Sequence, residues 1–253
     1  MAEQGTAAGR GSMYRFQSGQ KQIDTIGRAI GLPFETLYTP RLIDVGIIDP
    51  PGDNLDLILS PDRCDSWAFP YFPHHDGGRS RIEQIRFLLS RLARGRTLDN
   101  RLEEGDLLGR LQVDAETRKN LGRARDRGFF VGDLVMLPVQ MGRLRGGQTV
   151  GAITATSNSD TVEFPLGLLE VASILLANPN LLCSAPSSDQ YGSSLRAIDC
   201  PGDRWEVDSN QMMPYFELEG DRTLGLDVRR IEFALPHHGI ATGFLFDESL
   251  LLR

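Results

Sequence analysis

The apolar residues of this chain change period twice, and that limits the folds open to it. Between 36 and 72, LYTPRLIDVGII, LDLILS and WAFPYF read as strands, the first two parted by a PPGD turn. From 79 to 127 the spacing turns helical. Ile82, Ile85, Leu89 and Leu92 form one stripe, with Arg86, Arg91 and Arg94 largely on the other side. Strand patterning then returns in FFVGDLVMLPV (129–139) and TVGAITATS (149–157), around an RLRGGQ turn, and 194–248 reads as four or five strands. The expectation is an α+β fold: a mostly antiparallel β-sheet with a central Arg-rich helical insertion.

Local signals place the remaining helices. QKQIDTIGRAI (20–30) carries Ile23, Ile26 and Ile30 on one face and stops at Gly31-Leu32-Pro33. A second stretch covers 98–109. A third, 114–127, opens on Asp114 as N-cap. Pro165 starts a short buried helix that Asn178-Pro179 ends. In TLGLDVRRIEFAL the apolar set is Leu226 and Val228, then Ile231, Phe233 and Leu235, so the alternation slips at Arg229-Arg230, as in a β-bulge. The chain thus divides into a polar tail (1–18), a first β-rich unit with an N-terminal helix (19–78), the basic helical segment (79–127) and a second β-rich unit (128–253).

At 253 residues, with 40% hydrophobic and 24% charged residues, the chain can bury a core without covalent staples. Its three cysteines, Cys64, Cys183 and Cys200, lack framework or metal-ligand spacing and read as reduced thiols of a cytoplasmic protein. The first twelve residues contain no apolar core of a secretory signal. The longest apolar run, 166–177, is interrupted by Glu170 and falls short of the roughly 20 residues a bilayer span needs. No membrane association is expected.

The net charge of −7 is unevenly spread. Twelve arginines and one lysine against eight acids give +5 between 79 and 127, while 1–78 carries −4 and 128–253 carries −8. Arg79, Arg81, Arg86, Arg91 and Arg94 are the candidate partner- or anion-binding residues, with Gly77-Gly78 ahead of the helix. Interleaved acids, and Phe87 as the lone aromatic, fit a solvated helix face or an acidic protein partner as well as nucleic acid.

All four histidines stand in two Pro-His-His triplets, at 73–75 and 236–238. His74, His75, His237 and His238 with Asp76 are the candidate metal ligands, for zinc, manganese or iron if the two pairs converge. Glu232 is a further ligand or base. No H-E-x-x-H or H-x-H spacing supports the set, and four loop histidines are the alternative. No metal or other cofactor is expected unless the pairs meet.

The chain also matches itself. IDPPGDNLDL (48–57) resembles IDCPGDRWEV (198–207), Pro70-Tyr71-Phe72 is echoed by Pro214-Tyr215-Phe216, and the triplets follow in the same order. A duplicated β unit is one reading; recurring Pro-Gly-Asp turn chemistry is the other. Nucleophilic catalysis finds little support. Asp62 and Asp65 beside Cys64 would raise its pKa, and no G-x-S-x-G elbow exists. A phosphate loop of the G-x-x-x-x-G-K type is also missing.

Three functions follow, in order of preference. The first is a non-enzymatic interaction or assembly protein, a subunit of a larger particle, with a protein partner or self-association. The second is a His-dependent metal-binding hydrolase. The third is a nucleic-acid-binding module using the Arg-rich helices.

Overall fold

The structure, a computed structural model, describes residues 16–31, 66–68, 70–73, 80–126, 130–154, 161–182, 196–207, 210–219 and 223–246. Among these residues lie five α-helices and a ten-stranded mixed sheet. The helices are α1 (Gly19–Ile30), α2 (Arg81–Gly95), α3 (Ala115–Asp126), α4 (Val150–Thr154) and α5 (Leu168–Ala177). The sheet strands are β1 (Ser66–Ala68), β2 (Leu98–Asn100), β3 (Gln112–Val113), β6 (Leu137–Gly146), β7 (Thr161–Pro165), β8 (Ala197–Asp199), β9 (Asp203–Val207), β10 (Asn210–Glu219), β11 (Thr223–Arg230) and β12 (His238–Phe246). A separate small hairpin pairs β4 (Phe130–Val131) with β5 (Leu134–Val135).

The main path runs β1-β6-β12-β8-β10-β11-β2. β8 and β7 share one flank of β12, and β9 continues along β10 to meet β3. Most pairings are antiparallel; β12–β8 and β11–β2 are parallel. The α+β class is therefore the observed one.

α5 is the hub of the helical layer. It is apolar on nearly every side, and Leu168, Leu169, Val171, Ile174 and Leu175 are fully buried. A helix of that kind belongs inside a core. α2 and α1 pack against it. α2 begins at a capping box, Glu83 N–H donating to Ser80 Oγ and Ser80 N–H to Glu83 Oε2. It buries Ile85, Leu88, Leu89 and Leu92. α1 buries Ile23 and Ile26 and ends at Gly31 in the left-handed conformation.

The Arg-rich segment is woven into this architecture. α2 supplies part of the central core, and β2 adds a strand beside β11. Residues 98–109, expected as a helix, form β2 and then short 3-10 turns at Arg101–Asp106 and Leu108–Arg110. α3 begins after Asp114, whose Oδ1 accepts the N–H groups of Glu116 and Thr117.

Two strand expectations are corrected. The patterning of 149–157 predicts a strand, but Val150–Thr154 is helical. Val150 and Ile153 there pack on Met213 and Ile240 of the sheet, so one-sided burial overrides β propensity. The phase slip at Arg229-Arg230 is no bulge. β10 and β11 pair without a register break through Arg229↔Met213 and Arg230↔Met212, after which the strand ends.

The second Pro-Gly-Asp word does form a turn, at Pro201-Gly202 between β8 and β9. Both of those strands pair with β10, so the turn is a loop pushed out of one strand line. It ties three elements together: Gly202 N–H donates to Leu166 O, Asp114 N–H donates to Gly202 O, and Asp203 reaches the start of α5. A Cβ on Gly202 would lie 2.5 Å from the Gly167 nitrogen, so glycine is required there by close backbone approach. The first copy, 48–57, lies outside the described residues, and so does the comparison a duplication would need.

Candidate functional site

The sheet register sorts polar from apolar residues. Phe216 pairs with Ile198 and Leu226, and all three face the helices and the core. Strand residues alternate in direction. Tyr215, opposite Asp199 and Asp227, therefore faces the other way, as do Glu217, Glu219 and Arg229. His238, paired with Ala197, joins this second face from β12. α4 covers its Met213–Ile240 end.

At its centre is a buried clasp. The Asp199 carboxylate accepts from Arg229 Nε at 2.8 Å and from Arg229 Nη2. His238 Nδ1 lies 2.9 Å from Asp199 Oδ1. A carboxylate can only accept here, so His238 Nδ1 is the donor of this bond. The Tyr215 ring meets the imidazole edge-on, with centroids 4.8 Å apart. Arg229 Nη1 also donates to the carbonyls of Arg230 and Phe233, so one guanidinium holds both Asp199 and the turn after β11.

Beyond Tyr215 the face is acidic. Arg101 donates to Asp99, Asp227 and Glu219, at 3.1, 3.0 and 2.5 Å. Three carboxylates around one cation leave net negative charge, and Glu217 adds to it. Burial, and then the carboxylates of Asp227 and Glu217, push the Tyr215 phenol up to about 12. Its neutral form is favoured by folding, so that stabilisation is complete below the unfolded value of about 10 and is lost as pH rises through about 12. A 295 nm titration is expected to show one tyrosine with a midpoint near 12, absent in Tyr215→Phe. A midpoint near 10 would contradict this environment.

The turn after β11 forms a tip. Glu232 through His237 are all exposed, with Phe233 51% and Leu235 39% accessible. They are the exposed large hydrophobic side chains among the described residues. The tip is held at both ends: Ile231 N–H donates to Gln211 O, His238 N–H to Leu235 O, and Arg196 N–H to His237 O. The guanidinium of Arg230 lies over the Phe233 ring at 5.8 Å.

The sequence-based candidates separate. His74, His75, Asp76 and Arg79 lie outside the described residues. His237 is exposed on the tip, and its neighbour His238 is committed to Asp199. Glu232 is exposed, 4.0 Å from Arg230. Among the described residues no three His, Cys, Asp or Glu side chains are grouped to hold a metal ion.

The four described arginines of the set are held differently. Arg81 turns inward and bridges Glu170 and Asp203. Burial lowers its pKa, but Asp203 and Glu170 more than offset that, and the net shift is upward. Arg86 lies 3.5 Å from Glu103, Arg91 stacks on Phe87, and Arg94 is exposed in the last turn of α2. Cys200 is buried, and burial pushes its thiol well up, which makes it a poor nucleophile. Cys64 and Cys183 lie outside the described residues.

Comparison with protein-family models, with curated proteins and with solved structures finds no match to this chain. The functional reading therefore rests on the chain's own geometry. Sequence reasoning missed Asp199, Tyr215, Arg229 and Arg101. Asp199 stands within the repeated IDCPGD word, which was the available signal. No helix among the described residues is long and apolar enough to cross a membrane.

Proposed function

We propose that this protein is a non-enzymatic assembly protein that associates with further copies of itself. The observation that carries this reading is the tip: exposed Phe233 and Leu235 on a turn clamped by a buried arginine. Apolar side chains held rigid at a surface lose little entropy on docking, so they suit an anchor role.

Charge supplies the argument for a second copy as the partner. Arg94, Arg110, Arg118 and Lys119 are exposed on the helical segment, where the exposed acids Glu103, Glu116 and Asp126 offset part of their charge. The acids around Arg101 lie on the opposite face of the sheet. Opposite charge on opposite sides of one chain favours head-to-tail contacts over twofold ones.

In sedimentation velocity at low salt, the protein is expected to run as multimers that shrink with added salt and fall to monomer in Phe233→Asp/Leu235→Asp. A wild type that stays monomeric at high concentration and low salt, and captures no partner, would overturn the proposal.

A second reading has one observation in its favour. Imidazoles that bind metals usually donate their other nitrogen to a carboxylate, as His238 does to Asp199. On this reading His238 Nε2 is a ligand of a hydrolytic centre, with His74, His75, His237 and Asp76 as the other candidates. Elemental analysis of untagged protein is expected to find near-stoichiometric zinc, manganese or iron, lost in His238→Ala. Absence of metal from the wild type would end it.

A further inference from the structure

A cleft of about 640 Å³ opens where α2 and α5 both end. That volume is within the range of small-ligand sites, about 300–1,000 Å³. Leu92, Leu175, Leu176, Leu182 and Leu218 make it apolar on several sides. Arg91 and Arg96 also line it, and among the described residues no carboxylate does.

The two arginines are held differently. Arg96 Nη2 donates to Pro179 O at 2.5 Å, tying the end of α2 to the turn after α5. Arg91 has its guanidinium over the Phe87 ring at 4.8 Å, and its Nε is buried without a hydrogen-bond partner. A buried donor left unpaired is costly, so a ligand acceptor there would be favoured.

The helix ends oppose this charge, but they do not cancel it. Each helix C-terminus contributes roughly −0.5 of a charge. Against two guanidiniums that leaves a net charge of about +1 from the described groups that line the cleft. Arginine also presents a planar fork suited to a carboxylate or phosphate. Leucine walls and two guanidiniums are complementary to a molecule with an apolar chain and an anionic head.

We infer that this cleft binds an amphiphilic anion, an alkyl chain carrying a carboxylate or phosphate, with Arg91 and Arg96 at its head and the leucines along its chain. The site is independent of the tip and of the assembly reading.

The test is isothermal titration of the full chain with decanoate and with decyl phosphate, below micelle-forming concentrations. Decanol, acetate and inorganic phosphate serve as controls. Saturable one-to-one binding of at least one alkyl anion is expected, with decanol at least tenfold weaker and the two small anions not bound. Which anion binds tighter identifies the head group. Arg91→Gln/Arg96→Gln, checked for folding by circular dichroism, is expected to weaken the alkyl anions at least tenfold and leave decanol unchanged. The inference is overturned if neither anion saturates, if decanol matches them, or if the folded double variant binds them like wild type. Should that variant fail to fold, the comparison of anion with alcohol on the wild type decides alone.

Discussion

Replacing Arg81 by alanine is expected to lower the unfolding free energy by about 3–5 kcal/mol, the usual consequence of removing one member of a buried ion pair. Glu170 and Asp203 are fully buried, whereas the Arg81 side chain keeps 20% of its surface. Arg81 donates two hydrogen bonds to each carboxylate. Without it, two buried carboxylates would be left without the cation that pairs them.

Part of their charge would still be met. Glu170 Oε2 accepts the Gly167 N–H at 3.1 Å, and Asp203 Oδ2 accepts the Leu168 N–H at 2.6 Å. Both donors lie at the start of α5, where the helix dipole also favours anions. The residual cost is the second negative charge. Urea unfolding at neutral pH measures it. The triple variant Arg81→Met/Glu170→Gln/Asp203→Asn should recover part of the loss, because no buried charge remains. An Arg81→Ala midpoint within error of wild type would show that the cluster is structurally idle.

Gly239→Ala is expected to be the next most damaging change, at about 3 kcal/mol, the upper end of ordinary overpacking. A Cβ on Gly239 would lie 2.1 Å from the Gly142 carbonyl oxygen and 2.5 Å from its carbonyl carbon. These are backbone atoms of the neighbouring strand, so no rotamer change relieves the contact. Gly142 sits at φ 95° where the β6–β12 register shifts, and its N–H is held by Gln140 Oε1 at 2.9 Å. The two strands could accept a methyl group only by moving apart. Hydrogen exchange should then show lost protection along β12, and the neighbouring His238 ring should shift in NMR spectra. Wild-type protection in the variant would mean that the strands part at little cost.

Gly239 also shows how far a one-dimensional reading reaches. A glycine after Pro-His-His suggests a turn. A turn does precede it, and His238 N–H closes on Leu235 O. The constraint on Gly239 itself comes from Gly142, a residue 97 positions away whose approach no local pattern announces.

Phe233 and Leu235 teach the converse. Their alternation with Ile231 suggested a buried strand face, yet Phe233 and Leu235 are exposed because β11 stops at Arg230. What holds them out is the guanidinium of Arg229, which is drawn inward by Asp199.

The sequence by itself determined the local elements whose causes are local. The Ser80–Glu83 box and the leucine stripe made α2, Asp114 started α3, Gly31 ended α1, and the strand patterning of 194–248, read as four or five strands, meets five between 197 and 246. These depend on spacing and backbone preference within a few residues, and such information is written along the chain. The tertiary structure decided which polar residues meet. Arg81 joins acids 89 and 122 positions away, Arg229 joins Asp199 across 30, and Val150–Thr154 became helical to cover Met213 and Ile240. Those outcomes depend on burial and on pairing between distant charges, and both exist only once the strands have found their order.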